Sequence, residues 1–154
     1  MTIDDAINAM ADAIAYAEGF YVTGSRPQRD NNPGDMTKDL IGKAVGMDGA
    51  FVVYANAQDG WDNLKQQISL IFNDASQIYN SDMTIYQIAQ KYTTTDQLAW
   101  AQNVASRLGV SLDTKISDLV SGIEQVVTSA PVIDATAGII LIVVMLYFFH
   151  SKNK

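Results

Sequence analysis

The sequence predicts an α+β fold, mostly α, with one small β-hairpin, followed by a C-terminal single-pass transmembrane helix. Three observations carry this expectation. Apolar residues recur at three- and four-residue steps in successive stretches before residue 110. A Gly-containing turn with strand-forming neighbours lies near residue 50, and beyond Pro131 the chain is apolar on every side. A chain of 154 residues has room for one compact domain and little else. The expected organisation is a domain over 1–125, a linker over 126–131, a membrane helix over 132–149 and a basic tail over 150–154.

The first helix starts at Thr2, a good N-cap, with Asp4 and Asp5 in its first turn, where a carboxylate favours the positive end of the helix dipole. Ile3, Ile7, Met10 and Ile14 form its apolar stripe, Ala6, Ala11, Ala13 and Ala15 fill the space between, and Gly19 ends it. One further step of four from Ile14 reaches Glu18, so a carboxyl group sits on the apolar face at the last turn. From Phe20 to Asp35 the residues Gly24, Pro27, Asn31, Asn32, Pro33 and Gly34 predict a long irregular segment. Gly42 to Tyr54 reads as the hairpin, with Met47-Asp48-Gly49 near its turn and Ala50 to Tyr54 as its second strand. A second helix is expected from about Asp59, turning Trp61, Leu64, Ile68, Ile71 and Phe72 inward. Thr84 caps a short third helix through Ile85, Ile88 and Ala89; a fourth runs from about Thr95 to Leu108, stopped by Gly109; a last amphipathic piece spans Leu112 to Val127.

The run from Val132 to Phe149 reaches about 27 Å as a helix, near the short end for crossing a bilayer. Asp134 suits one interface, and Tyr147 with Lys152 and Lys154 the other. The positive-inside tendency then puts the C-terminus on the cytoplasmic side. The N-terminus lacks the basic and apolar regions of a cleaved signal peptide.

Composition excludes several function classes. Residues 1–134 carry 8 basic against 17 acidic side chains, a net charge of −9, so phosphate-driven nucleic-acid binding is not expected. There is no cysteine for a thiolate metal site, and the single histidine, His150, stands at the end of an apolar run, so neither a His-rich zinc site nor a Ser-His-Asp triad is expected. No metal or other cofactor is expected. Glutamate is scarce: Glu18 is the sole example in the first 123 residues. A carboxyl on an apolar face, beside a Gly-rich loop, stays protonated to higher pH than a free one and can act as a proton donor.

The run Ala13 to Phe20, with Glu18-Gly19-Phe20-Tyr21, and then Arg29-Asp30-Asn31-Asn32-Pro33-Gly34-Asp35-Met36, resembles the phage and bacterial lytic transglycosylase and lysozyme-like domains. Those domains carry an A-x-x-E-G-F-Y segment followed by R-x-N-N-P-G-N-[LI]. The similarity continues through Asp48 to Tyr54, Asp59-Gly60-Trp61, Met83 to Ile88 with Lys91-Tyr92, and Asn103 to Val110, covering about residues 10 to 120. It implies a lysozyme-like fold that cleaves the β-1,4 bond between N-acetylmuramic acid and N-acetylglucosamine, with Glu18 as the catalytic acid. In a transglycosylase the single carboxyl protonates the leaving oxygen and then takes a proton from the muramoyl C6 hydroxyl. A hydrolase needs a second carboxylate, which Asp30, Asp35 or Asp48 could supply. The family usually has Asn where this chain has Asp35.

By the same resemblance, Asn31, Asn32 and Gly34 shape the cleft floor and hydrogen-bond sugar amides. Tyr21, Tyr54 and Tyr92 are candidates to stack on sugar faces or to hydrogen-bond Glu18, Tyr92 above the others. Trp61 and Trp100 rank lowest, because helical spacing already explains them. The expected partners are a peptidoglycan glycan strand, the lipid bilayer through residues 132–149, and other virion proteins. The expected setting is a single-pass membrane protein in a phage virion or an infected host's membrane. The alternative is a non-catalytic, membrane-anchored virion protein of the same fold that holds glycan or other structural components.

Overall fold

A computed structural model describes residues 1–121, and these form a mostly helical α+β domain with one two-stranded sheet. Helix α1, Ile3–Ala17, opens on a capping box in which the Thr2 hydroxyl accepts from the Asp5 N–H at 3.1 Å and the Asp5 carboxylate accepts from the Thr2 N–H at 3.1 Å. Of its predicted stripe Met10 and Ile14 are buried, with Ala6, Ala11, Ala13 and Ala15 buried between them, Ile7 is partly buried against the core, and Ile3 is 40% exposed.

The segment expected to be irregular contains a short helix, α2, Arg26–Arg29. Ser25 caps it through the Gln28 N–H, and Pro27 sits in its first turn, where a missing N–H costs nothing. A single turn is too short to leave a periodic signal. Strands β1, Ala44–Asp48, and β2, Phe51–Tyr54, pair antiparallel with Asp48 opposite Phe51. The link is the two-residue turn Gly49-Ala50, and Gly49 supplies its positive φ of 61°. Val52 and Tyr54 point into the core, while all of β1 is exposed.

Helix α3, Ala57–Phe72, begins two residues earlier than expected because Asn56 is its cap, accepting from the Asp59 N–H at 3.0 Å. Helix α4, Ile85–Tyr92, has the predicted Thr84 cap, completed as a box by Gln87. Helix α5, Gln97–Leu108, ends at Gly109 with φ 71°, as predicted. The core joins Met10 and Ile14 of α1, Leu64 and Ile68 of α3, Ile88 of α4 and Val104 of α5. Each such side chain contributes about 1.5–3 kcal/mol on burial.

The amphipathic helix expected from Leu112 is not formed in residues 112–117; a short helix, α6, covers Asp118–Ser121. The reason is tertiary. The carbonyls of Leu112 and Thr114 accept from the N–H groups of Tyr86 and Ile85, both at 3.1 Å, supplying the partners that the first turn of α4 lacks. Ile116 N–H bonds back to the Met83 carbonyl at 3.0 Å, and Ile116 is fully buried. Among the described residues no helix is long and apolar enough to cross a membrane. The expected membrane helix over 132–149, the linker before it and the tail after it lie outside the described residues.

Candidate functional site

Glu18 is the C-cap of α1, still right-handed, with its N–H on the Ile14 carbonyl at 2.9 Å, and Gly19 breaks the helix at φ 78°. The side chain therefore keeps the direction of the apolar stripe and meets α5. Trp100 Nε1–H donates to Glu18 Oε1 at 2.6 Å. Burial pushes the Glu18 carboxyl from an ordinary 4.5 up to about 7; the Trp100 N–H pulls the other way, the Asp35 charge pushes up and the Arg26 charge pulls down. The negative end of the α1 dipole acts in the same direction as burial. Near neutral pH the group is thus divided between acid and base forms, the condition for giving and then taking a proton. It is only partly buried, so solvent retains access.

Trp100 is held in turn by Tyr92, whose ring stacks on the indole with centroids 4.9 Å apart and planes at 30°. The Tyr92 hydroxyl donates to the Gly34 carbonyl at 2.6 Å, and burial, followed by the neighbouring Glu18 charge, holds it well above the ordinary phenol range. Tyr92 thus supports the indole that carries Glu18 and does not bond Glu18 itself.

The loop under this group is fixed by internal bonds. Asn32 is completely buried: its amide N–H groups donate to the Met36 and Val52 carbonyls at 2.9 Å each, and its Oδ1 accepts from the Met36 N–H at 2.9 Å. Both of its donors are used, so Asn32 clasps the loop to the hairpin and has none left for a sugar amide. Asn31, at φ 53°, donates to the Tyr54 carbonyl at 3.0 Å. A Cβ on Gly34 would come within 2.7 Å of Leu64 Cδ1 and 3.0 Å of the Tyr92 hydroxyl, so the close approach of loop and helices requires glycine there. Gly60 is stricter: a Cβ would lie 1.9 Å from the Asn31 carbonyl oxygen.

Asp35, at φ 47°, is paired with Arg26; Arg26 Nε donates to Oδ1 at 3.0 Å, and Nη2 bonds Oδ2. The guanidinium also lies over the Phe51 ring, with Cζ 3.3 Å from its centroid. Of the three candidate second carboxylates, Asp35 is the one whose charge bears on Glu18. Asp30 is 7% exposed with Oδ2 unpartnered, and burial foremost, then the Asp48 charge, raises it. Asp48 pairs with Arg29 at 3.3 Å on the exposed hairpin tip. Asp35, Met36 and Tyr92 also line a cavity of about 120 Å³, together with Gln67 and Tyr79.

The predicted tyrosines separate. Tyr54 is 1% exposed and belongs to the core, and burial, then the Asp39 charge, raises its phenol. Tyr21 is exposed, and its hydroxyl donates to Asp12 at 2.5 Å, not to Glu18. Tyr92 alone of the three is built into the support of Glu18. Sequence reasoning missed Trp100 and Arg26. A buried indole N–H needs an acceptor, which is a usable signal, but that acceptor lies 82 residues away along the chain. Among the described residues no group of His, Cys, Asp or Glu is arranged to hold a metal ion. Comparison with known proteins yields no match: no family model, curated protein or solved structure aligns with the chain.

Proposed function

We propose that this chain is a peptidoglycan-cleaving enzyme of lysozyme-like fold, a lytic transglycosylase or muramidase, with Glu18 as general acid and base. It cleaves the bond between N-acetylmuramic acid and N-acetylglucosamine, is anchored in a membrane through residues 132–149, and serves a phage during genome entry or lysis. The observation that carries the reading is the Glu18 carboxyl, lifted to about 7 by burial while its Oε1 is fixed by the Trp100 indole at 2.6 Å. A group so balanced can protonate the glycosidic oxygen as the bond to C1 breaks, and its carboxylate can then accept the proton of the C6 hydroxyl as that oxygen closes onto C1. The pairing of Asp35 with Arg26 supports this one-carboxyl route over hydrolysis, because the best-placed second carboxylate is already engaged by a guanidinium.

A second reading draws on the same engagement. With Asn32 and Asp35 committed to internal bonds, a glycan-binding or structural virion protein of this fold, without turnover, would need no change in the loop. A zymogram on peptidoglycan separates the two. The enzyme reading expects clearing by the wild type and a loss of at least about 10²-fold in Glu18→Gln, the usual contribution of a general acid. Glutamine keeps the acceptor for Trp100, so such a loss does not reflect a broken fold. No clearing by the wild type refutes the enzyme. Muropeptide mass spectrometry then distinguishes anhydro from hydrolysed ends. Deleting residues 132–154 should release the product from membranes, and continued partitioning would refute the anchor.

A further inference from the structure

Helices α1 and α5 are joined at two points that run in opposite order along them: Glu18 to Trp100, and Asp12 to Arg107, whose Nε lies 2.7 Å from Asp12 Oδ2. The helices are therefore antiparallel, and the two links are separated by about 10 Å of α5, seven residues at 1.5 Å each. Between and beside them lies a set of side chains that the catalytic reading does not use. Tyr16 is 48% exposed and Tyr21 49% exposed. Both are fixed to the ion pair, Tyr16 with the Arg107 guanidinium 5.2 Å from its ring centre and Tyr21 through its hydroxyl on Asp12 at 2.5 Å. A concavity of about 350 Å³ is lined by Tyr16 on one side and by Asn103, Ser106 and Arg107 on the other. On α5 these last three follow the i, i+3, i+4 rule and share one face with Trp100.

We propose that this α1–α5 seam is a second glycan-binding surface, taking an uncharged pyranose chain across Tyr16, Asn103, Ser106 and Arg107. The chemistry argues for that ligand class. A sugar ring offers an apolar C–H face and a rim of hydroxyls and amides; the exposed tyrosine rings match the first, and the Asn103 amide, Ser106 hydroxyl and Arg107 guanidinium match the second. Asn103 and Ser106 have no side-chain bond to another described residue, so their capacity is unspent. Arg107 is neutralised by Asp12, and residues 1–134 carry a net charge of −9, which disfavours an anionic wall polymer. The tyrosines are already held by the ion pair, so little rotamer freedom remains to be lost on binding. The identity of the polymer rests on the proposed function; the surface itself does not require turnover.

The test uses the full chain in mild detergent with Glu18→Gln, so that the polymer is not degraded, and measures co-sedimentation with purified sacculi and binding of a soluble N-acetylglucosamine hexamer. Tyr16→Ala and Asn103→Ala, added separately, should each weaken both about tenfold, equivalent to about 1.4 kcal/mol. Val45→Ala, a change at an exposed position on β1, should leave both unaltered. Both side chains are exposed, and circular dichroism melts of the two variants verify that the fold is kept. Unchanged affinity in both variants overturns the proposal, as does a parent that binds neither ligand. Clearing by the wild-type chain reads the catalytic proposal separately: tyrosine-dependent binding without clearing keeps the surface and removes the enzyme.

Discussion

Replacing Glu18 by glutamine should make the protein more stable at neutral pH, even as it removes the proposed activity. The carboxyl titrates at about 7 in the fold against an ordinary 4.5, a shift caused first by burial. Between these two values the unfolded chain has released a proton that the folded chain still holds, so rising pH favours unfolding. The stabilisation is complete below about pH 4.5, declines from there to about 7, and is then gone. A gap of about 2.5 at about 1.36 kcal/mol per pH unit gives roughly 3 kcal/mol. Glutamine does not titrate and retains the Trp100 hydrogen bond, so the difference between the two proteins isolates this one group from the aspartates that also titrate. Urea denaturation of the full chain in mild detergent, followed by tryptophan fluorescence at pH values from 4 to 8, measures it. The variant should gain about 3 kcal/mol on the wild type between pH 4.5 and 7. Parallel curves across that range would refute the claim that burial holds Glu18 neutral.

Trp100→Phe keeps a ring against Tyr92 but removes the N–H that favours the carboxylate; a hydrogen bond to a charged group is worth about 1.5–3 kcal/mol, so the Glu18 midpoint should rise by about 1–2 pH units. If the protonated form is the active one, the alkaline limb of the clearing-rate profile moves up with it, and a limb that stays or falls contradicts the assignment. Asn32→Ala strips the Val52 carbonyl and the Met36 N–H of their amide partner, while the Met36 carbonyl keeps the Val52 N–H, and should cost at least about 2 kcal/mol in urea denaturation, whereas a change under about 1 kcal/mol would mean that the clasp is not structural. Gly60→Ala must displace the Asn31 carbonyl, since its Cβ would lie 1.9 Å away; a loss of about 3 kcal/mol or more, or failure to fold, is expected, and a melting temperature like the wild type's would contradict the packing of α3 on the loop.

What the sequence disclosed and what it withheld divide along sequence distance. Thr2 and Thr84 announce their helices because a cap acts within three residues, and the stripe through Met10 and Ile14 carries Glu18 to the right face because helical period is local. The hairpin was readable from Gly49 for the same reason. Residues 112–117 depart from the helix their amphipathic spacing predicts because that spacing is outweighed by the demand of α4 for carbonyls at its first turn, a demand set some 28 residues earlier in the chain. Asn32 and Gly34 stand out in the sequence as loop residues, but the part expected of them, shaping the cleft floor and bonding sugar amides, is not the one they play in the fold: Asn32 is spent holding the loop, and Gly34 allows close approach to Leu64 and Tyr92. Trp100 illustrates the limit most clearly. Its spacing on α5 explains its burial completely, and nothing local indicates that its N–H ends on Glu18.

The proposed catalysis turns on the protonation of one side chain, and the chain's composition makes that measurable. It has only two glutamates, Glu18 and Glu124, so a sample labelled with ¹³C at the glutamate carboxyl carbon gives two signals, and the Glu18→Gln protein identifies which is which. The signal of Glu18 should move through its midpoint at about pH 7. A midpoint near 4.5 would mean that the carboxyl is ionised at neutral pH like any exposed one, and the proposed acid would not exist.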